Sequence, residues 1–413
     1  MIETMNLDKN NNINSTMVSS GKEDKEMPMI HYPSQGHGKW NIPVAKDLLQ
    51  RVESSTLSKQ QRWEYGTAGF RYPHEVLKPI MVRMGWLAVA RCAAEETMNG
   101  TMMIHVGMMI TASHNAEEDN GLKLADPKDG GMLHPDWETN AVQLANASSL
   151  EEWWNERQKK PNHTAVVHVG MDTRWHSPML AQWAVRAALS AGAIVIHHGY
   201  VTTPQLHYMV QHANSSHLPS LLPARPGLVG YYNSLLSSYL QLLSTSTSSS
   251  NKNRLLTVDC ACGVGGWKLR QLQSYLQRYV QDYYPNQAAQ FQLVNVPGDG
   301  PLNDKCGAEY VQKQQLPFQI YTKTTTKIPT NYMCSFDGDA DRIVFSYFDN
   351  HNKFQLLDGD KIAVLVSKFI QQELQHLLQH VTPTTSIQCG VVQTAYANGS
   401  STDYLKVRLS LSL

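Results

Sequence analysis

The chain has 413 residues, with 35 Lys and Arg set against 35 Asp and Glu, for a formal net charge of zero. At about 150 residues per domain this length corresponds to two to four domains. The balanced charge lacks the basic excess that a nucleic-acid partner or a polybasic membrane contact requires, so both are excluded as expectations, and no run of about 18 apolar residues is present to cross a membrane.

Residues 1–29 are expected to form a disordered tail. MIETMNLDKNNNINSTMVSSGKEDKEMP is polar, with neither the apolar stretch of a secretory signal nor the Arg-rich amphipathic pattern of a transit peptide. Downstream, strand-like and helix-like runs alternate, the pattern of α/β domains with parallel strands. Met81–Thr97 carries apolar residues at helical spacing, and Ile104–Ile110 is a short apolar run that reads as a buried strand. Thr164–Gly170 reads the same way, followed by a helix over Pro178–Ala191 and a strand over Ala193–His197. Leu228–Leu243 reads as a helix that ends in the low-complexity stretch Ser244–Asn253. A strand over Leu255–Asp259, a Gly-rich turn and a helix from about Leu269 to Tyr279 come next, then strands over Tyr332–Phe336 and Arg342–Phe348. Over Lys361–His380, residues Ile362, Leu365, Val366, Phe369, Ile370, Leu374, Leu377 and Leu378 follow helical periodicity, with Asp358 or Asp360 as cap. Ile387–Val392 reads as one more buried strand. The six cysteines, Cys92, Cys260, Cys262, Cys306, Cys334 and Cys389, include no CxxC pair and no zinc-type cluster. Reduced, mostly buried thiols in a cytoplasmic protein are expected.

Two segments could carry chemistry. Thr111–Lys123 (TASHNAEEDNGLK) follows the Ile104–Ile110 strand, where α/β proteins place ligand-binding loops. It offers the hydroxyl of Ser113, the imidazole of His114 and the amine of Lys123. Neighbours on an extended segment point to opposite sides, so Ser113 and His114 are not a nucleophile–base pair, and a plain polar turn is the other reading. In Asp337-Gly-Asp339-Ala-Asp341-Arg342, three carboxylates at i, i+2 and i+4 repel one another unless a cation sits among them. All-oxygen ligands point to Mg²⁺ before Zn²⁺; a solvated acidic turn is the alternative. EF-hand spacing is excluded, because Arg342 stands at its glycine position and Phe348 at its final glutamate. A strand followed by Asp-x-Asp also resembles the start of haloacid-dehalogenase-type phosphatases. That family usually places Thr or Val soon after the second Asp, where Ala340 and Asp341 stand here.

Weaker signals are Trp63–Arg71, whose glycines and Arg71 suit a phosphate or carboxylate contact, and Asp172 with Arg174, which reads as a structural ion pair. The pairing of a hydroxyl loop with a Mg²⁺ loop is suggestive. A phosphorylated serine holds close to two negative charges and needs such a cation as its phosphoryl group leaves.

Taken together, YGTAGFR (65–71), TASHNAEEDNGLK (111–123), GMDTR (170–174), VDCACGVGGWKL (258–269), FDGDADR (336–342) and VVQTAYANGSST (391–402) resemble the phosphohexose mutase family, in its own order. The Glu-Glu-Asp-Asn-Gly run, Ala340 within the metal loop and the QTAYANG stretch resemble its acetylglucosamine branch. Ala116 stands where the family usually has proline, a change in loop stiffness. The resemblance implies a fold of consecutive doubly wound, mixed-sheet α/β domains: domain one at 30–215 with the phosphoserine loop, domain two at 216–355 with the metal loop, and an incomplete domain three at 356–413. It also implies conversion of N-acetylglucosamine 6-phosphate to the 1-phosphate, on the route to UDP-N-acetylglucosamine, with a phosphorylated amino sugar as substrate.

On the same resemblance, Ser113 carries the phosphoryl group. Ser113, Asp337, Asp339 and Asp341 hold Mg²⁺. Lys123 and Arg342 move protons or stabilise charge, and Arg71 and His114 contact substrate. Another phosphohexose mutase, or a copy that only binds, are the alternatives. The family's domain-three sugar loop and fourth domain do not appear, so residues 1–413 are expected to be a poor mutase on their own, with an incomplete coding sequence or a natural short form behind the ending. Nothing in the sequence marks an oligomeric state.

Overall fold

The computed structural model describes residues 30–32, 42–53, 62–67, 69–95, 103–156, 163–215, 227–245, 255–283, 290–322, 332–380 and 390–408. The expected tail at 1–29 and the stretch 246–253 lie outside them.

The first layer of strands and helices runs β1 (Ile30–Tyr32), α1 (Ile42–Glu53), β2 (Phe70–Pro73), α2 (Lys78–Ala94), β3 (Met103–Ile110), β4 (Asp119–Ala125), α3 (Pro135–Asn146), α4 (Leu150–Asn155), β5 (Thr164–Met171), α5 (Ser177–Ser190), β6 (Ile194–Tyr200) and α6 (Thr203–Asn214). Its sheet has the order β1-β6-β5-β3-β4-β2. β3, β5 and β6 are parallel, while β4 runs antiparallel to β3 and β1 antiparallel to β6. β3 and β5 are almost continuously apolar because both faces are covered. Ile104, Val106, Met108 and Ile110 join the core beneath α2 and α5, while Met109 packs with Leu206 and Met209 of α6 on the other face.

Helix α2 is buried on all sides from Pro79 to Cys92, as befits a helix that is apolar around its circumference. Its two buried arginines are both satisfied. Arg83 donates to the carbonyls of Leu144 (2.7 Å) and Ala147 (2.9 Å) at the end of α3. Arg91 grips Asp126 with two bonds of 3.0 and 2.7 Å.

The second part runs α7 (Gly227–Thr245), β7 (Leu255–Asp259), α8 (Gly265–Tyr283), β8 (Gln290–Val294), α9 (Gly307–Gln314), β9 (Tyr332–Phe336), β10 (Ile343–Phe348), β11 (Phe354–Leu357), α10 (Gly359–His380) and α11 (Gly399–Arg408). Its sheet has the order β11-β10-β9-β7-β8, parallel at β8, β7 and β9 and antiparallel at β10 and β11. Both sheets are therefore mixed, with helices packed on them, as expected.

Two expectations change. The segment 111–123, read as a loop throughout, is half strand: from Asp119 it becomes β4 and turns back along β3, pairing Leu122 with Ile110 and Lys123 with Met109. Gly121 makes this possible, since a Cβ there would lie 2.0 Å from the Phe70 carbonyl oxygen. Of the strand expected at Ile387–Val392, positions 387–389 lie outside the described residues, and 391 and 392 are not in a strand. Helix α10 starts as expected, with the Asp358 carboxylate accepting from the Lys361 N–H at 3.1 Å. Much of its apolar stripe is bare: Leu365, Val366, Phe369, Ile370 and Leu377 are exposed.

Candidate active site

Three loops meet at the C-terminal ends of parallel strands, where α/β sheets open a crevice. The serine loop leaves β3, the acidic loop leaves β9, and the start of α6 follows β6. Ser113 has φ of 50°, in the left-handed region, and its surroundings fix it there. Its N–H donates to Thr111 Oγ1 at 2.9 Å. Its carbonyl accepts from Asn303 Nδ2 at 2.9 Å and from the Arg174 guanidinium at 3.4 Å. Asn303 and Arg174 also bind the carbonyl of Asn115, at 2.9 and 2.8 Å.

Behind this lies Asp172, wholly buried. It pairs with Arg174 and accepts from Thr111 Oγ1 (2.7 Å) and Ser177 Oγ (2.8 Å). The expected ion pair is present, and it braces the serine loop. Two imidazoles hold the far side of that loop. His176 Nε2 donates to the Glu117 carbonyl at 3.0 Å, and His74 Nδ1 to that of Glu118 at 2.9 Å, with the rings stacked 4.2 Å apart.

The Ser113 hydroxyl points at the acidic loop. It donates to Asp339 Oδ2 at 3.2 Å and accepts from Lys123 Nζ at 3.1 Å. Lys123 in turn lies 2.7 Å from Asp339 and 2.5 Å from Asp341. Burial alone would lower the lysine pKa, but these two carboxylates hold it above the usual value. The ammonium is thus a built-in counter-ion that relieves part of the repulsion expected among the three acids. It does not relieve all of it. Burial, with Asp339 and Asp341 adding to it, pushes the Asp337 carboxyl well up, whereas burial on Asp339 is outweighed by Lys123 and by hydrogen bonds from Lys123 and Thr203, so its pKa falls.

Among the described residues Asp337 Oδ2 and Asp339 Oδ1 are buried without a hydrogen-bond partner, and Asp337, Asp339 and Asp341 each offer an oxygen within 4.8 Å of the others. Buried carboxylate oxygens without a hydrogen bond, on acids clustered this closely, have the chemistry of a hard-cation site. The two loops touch closely. A Cβ on Gly338 would lie 2.6 Å from the Ser113 carbonyl oxygen, so glycine is what lets the backbones meet.

Ser113, Lys123, Asp337, Asp339 and Asp341 are therefore brought together. Arg342 stands at the edge, bonded to Glu309 at 2.8 Å and 3.8 Å from Asp337. His114 turns away from the Ser113 hydroxyl, its Nε2 3.9 Å from Glu309; burial and the nearby Arg342 depress its pKa to about 4. Arg71 donates to the Thr67 carbonyl at 3.0 Å and is close enough to Arg342 and the three aspartates to feel their charges. Sequence reasoning missed Asn303, which no local signal marks, and Thr203, whose hydroxyl lies 2.5 Å from Asp339. The Thr202-x-x-Gln205 pattern at the start of α6 is a capping box and could have placed Thr203 at a helix start.

Comparison with known proteins gives family matches along most of the chain. The family description "Phosphoglucomutase/phosphomannomutase, alpha/beta/alpha domain I" matches residues 89–152 and 139–218. "Phosphoacetylglucosamine mutase AMG1", domain II, matches 227–344, and domain III matches 358–413. The crystal structure of N-acetylglucosamine-phosphate mutase in the apo-form superposes with a TM-score of 0.72 at 34% identity, over 89% of this chain and 76% of that one. The chain belongs to the phosphoacetylglucosamine mutase family.

Human phosphoacetylglucosamine mutase is 40% identical over 353 residues, covering 83% of this chain and 59% of the human protein. That of Saccharomyces cerevisiae is 38% identical, covering 87% and 64%. The chain thus spans about three-fifths of the length of these curated relatives. The Aspergillus fumigatus N-acetylphosphoglucosamine mutase, solved with GlcNAc-6P and magnesium, superposes with a TM-score of 0.74 at 34% identity, over 89% of this chain and 65% of that one. Within this mutase family the acidic loop of the present chain keeps Ala340 at φ of 55°. A Cβ on Gly265 would come within 3.0 Å of the Ala340 methyl, so a glycine opposite makes room for it.

Proposed function

We propose that this chain carries the phosphoryl-transfer centre of a phosphoacetylglucosamine mutase, acting on a phosphorylated amino sugar and exchanging N-acetylglucosamine 6-phosphate with the 1-phosphate. The observation that carries this reading is the Ser113 hydroxyl, shared between Lys123 Nζ at 3.1 Å and Asp339 Oδ2 at 3.2 Å. Ser113 is the residue that holds the phosphoryl group between turnovers.

When phosphorylated Ser113 donates to the free sugar hydroxyl, the bond between Oγ and phosphorus breaks and a bond from the sugar oxygen to phosphorus forms. Ser113 Oγ must then gain a proton. Lys123 holds one at Nζ, kept there by Asp339 and Asp341, and the proton released by the sugar hydroxyl restores the ammonium. The second half-reaction is the same transfer in reverse, from the other position of the sugar bisphosphate back to Ser113.

Arg342 and Arg71 supply positive charge near the acidic loop, and His114, neutral at physiological pH, adds a polar contact there. Asp337, Asp339 and Asp341, with a phosphoryl oxygen on Ser113, would hold Mg²⁺, which when bound neutralises charge on the transferring group. The two buried carboxylate oxygens without a hydrogen bond among the described residues support that assignment. No helix among the described residues is long and apolar enough to cross a membrane, and the five described cysteines are free and buried, which suits a reducing, cytoplasmic setting.

The test is incubation with glucose 1,6-bisphosphate and Mg²⁺, followed by mass spectrometry of the chain. Phosphate on Ser113, absent in Ser113→Ala, is expected; phosphate on Asp337 instead would overturn the reading in favour of an aspartyl-phosphate enzyme.

A further inference from the structure

The first residue of α6 grips the acidic loop twice. Helix α6 is opened by Thr202, whose hydroxyl accepts from the Gln205 N–H at 3.3 Å while the Gln205 side chain accepts from the Thr202 N–H at 3.0 Å. That capping leaves the N–H of Thr203 free of intrahelical duty, like every donor of a first helical turn. It donates to the Asp339 carbonyl at 3.1 Å, and the hydroxyl of the same residue donates to Asp339 Oδ2 at 2.5 Å. Main chain is thus fixed to main chain and side chain to side chain, across the boundary between the two sheets.

The effect on Asp339 is one-sided. Its Oδ2 receives Thr203 Oγ1, Lys123 Nζ at 2.7 Å and Ser113 Oγ at 3.2 Å. A carboxylate oxygen has two lone pairs, so Oδ2 has no capacity left. Oδ1 is buried and has no hydrogen-bond partner among the described residues. A carboxylate free to rotate about its last bond would share its donors between both oxygens; this one is held so that one oxygen is saturated and the other is bare.

We propose that Thr203 is a positioning residue for the divalent cation: its hydroxyl locks the Asp339 carboxylate so that Oδ1 is the oxygen offered to the metal. The inference rests on the metal-site reading above. It assigns to a residue at the start of α6 control over a ligand carried by the acidic loop after β9. Residues that orient metal ligands in this way typically change affinity by about 10–100-fold when lost.

Isothermal titration of Mg²⁺ into the full chain tests it, comparing wild type with Thr203→Val, Thr203→Ala and Thr203→Ser. Valine keeps the shape and removes the hydroxyl, alanine serves if valine does not fold, and serine restores the hydroxyl. Thr203→Val or Thr203→Ala should bind Mg²⁺ about tenfold more weakly, while Thr203→Ser should stay within about twofold of wild type. Wild-type affinity in the hydroxyl-free variants, or equal weakening in all three, would overturn the role of the hydroxyl and leave the metal site standing. A wild-type chain that takes up no Mg²⁺ would overturn the metal reading and this inference with it.

Discussion

Gly338→Ala puts the contact between the two loops to its hardest test. The added methyl would lie 2.6 Å from the Ser113 carbonyl oxygen, 3.2 Å from Asn303 Nδ2 and 3.3 Å from a Leu302 methyl. Ordinary contact begins at 3.4 Å, so the nearest atom must retreat by about 0.8 Å, the difference between 3.4 and 2.6 Å. That atom is backbone, held by Asn303 and Arg174, and cannot swing aside as a flexible side chain would. Overpacking of this kind costs about 1–3 kcal/mol. The larger effect should be on chemistry, because a displacement of about 1 Å in reacting groups can cost about 100-fold in rate. Urea denaturation reads the first, and the rate of Ser113 phosphorylation by glucose 1,6-bisphosphate reads the second. Gly359→Ala is the control, since a Cβ there meets nothing within 4 Å. If Gly338→Ala keeps both wild-type stability and a wild-type phosphorylation rate, the two loops do not need to meet this closely and the argument fails.

Arg91→Met leaves Asp126 buried with the N–H groups of Lys128 and His134 still donating to it at 3.0 and 3.2 Å but with no counter-charge, and should destabilise the fold by about 3–5 kcal/mol; a loss below about 1 kcal/mol by urea titration would show that those backbone donors alone hold the charge. Burial holds the His105 imidazole down to about 4 from 6.5, so the unfolded chain takes up that proton first. The stability tied to it is whole above about pH 6.5 and declines as the pH falls toward 4, and His105→Gln should flatten the stability–pH curve over that interval; an unchanged curve would refute the assignment. Phe369→Glu, on the bare face of α10, should reduce concentration-dependent self-association seen by sedimentation, and unchanged association would show that this face is not the adhesive one.

Much of this was legible in the sequence where one signal dominated. The apolar runs of β3, β5, β7 and β9 stand out because both of their faces are buried. The acidic loop stood out because three carboxylates two residues apart need an explanation. β4 did not, because its strand signal is overwritten by Asp119, Asn120 and Lys123, side chains chosen for the site and not for strand propensity. Asn303 and Thr203 were hidden for another reason. Each acts on a residue far away in sequence, 190 positions for Asn303 with Ser113 and 136 for Thr203 with Asp339, and no local pattern encodes such a contact. Asp172 was legible as an ion pair, but its second task of fixing the serine backbone through Thr111 depends on the register of β3 against β5.

The β3–β4 hairpin has a consequence for the order of events during synthesis. Ser113 and Lys123 are 10 residues apart, whereas Ser113 and Asp339 are 226 apart. The serine–lysine contact closes a short loop and forms early. At about 5–20 residues per second, the acidic loop follows roughly 10–45 s later. During that wait Lys123 has neither of the carboxylates that sustain its charge, so the nascent first domain carries a cation whose counter-ions are still to be made. Arrival of the acidic loop then completes a charge balance as well as a packing interface, and the later half of the chain is drawn to the earlier by a lysine already in place.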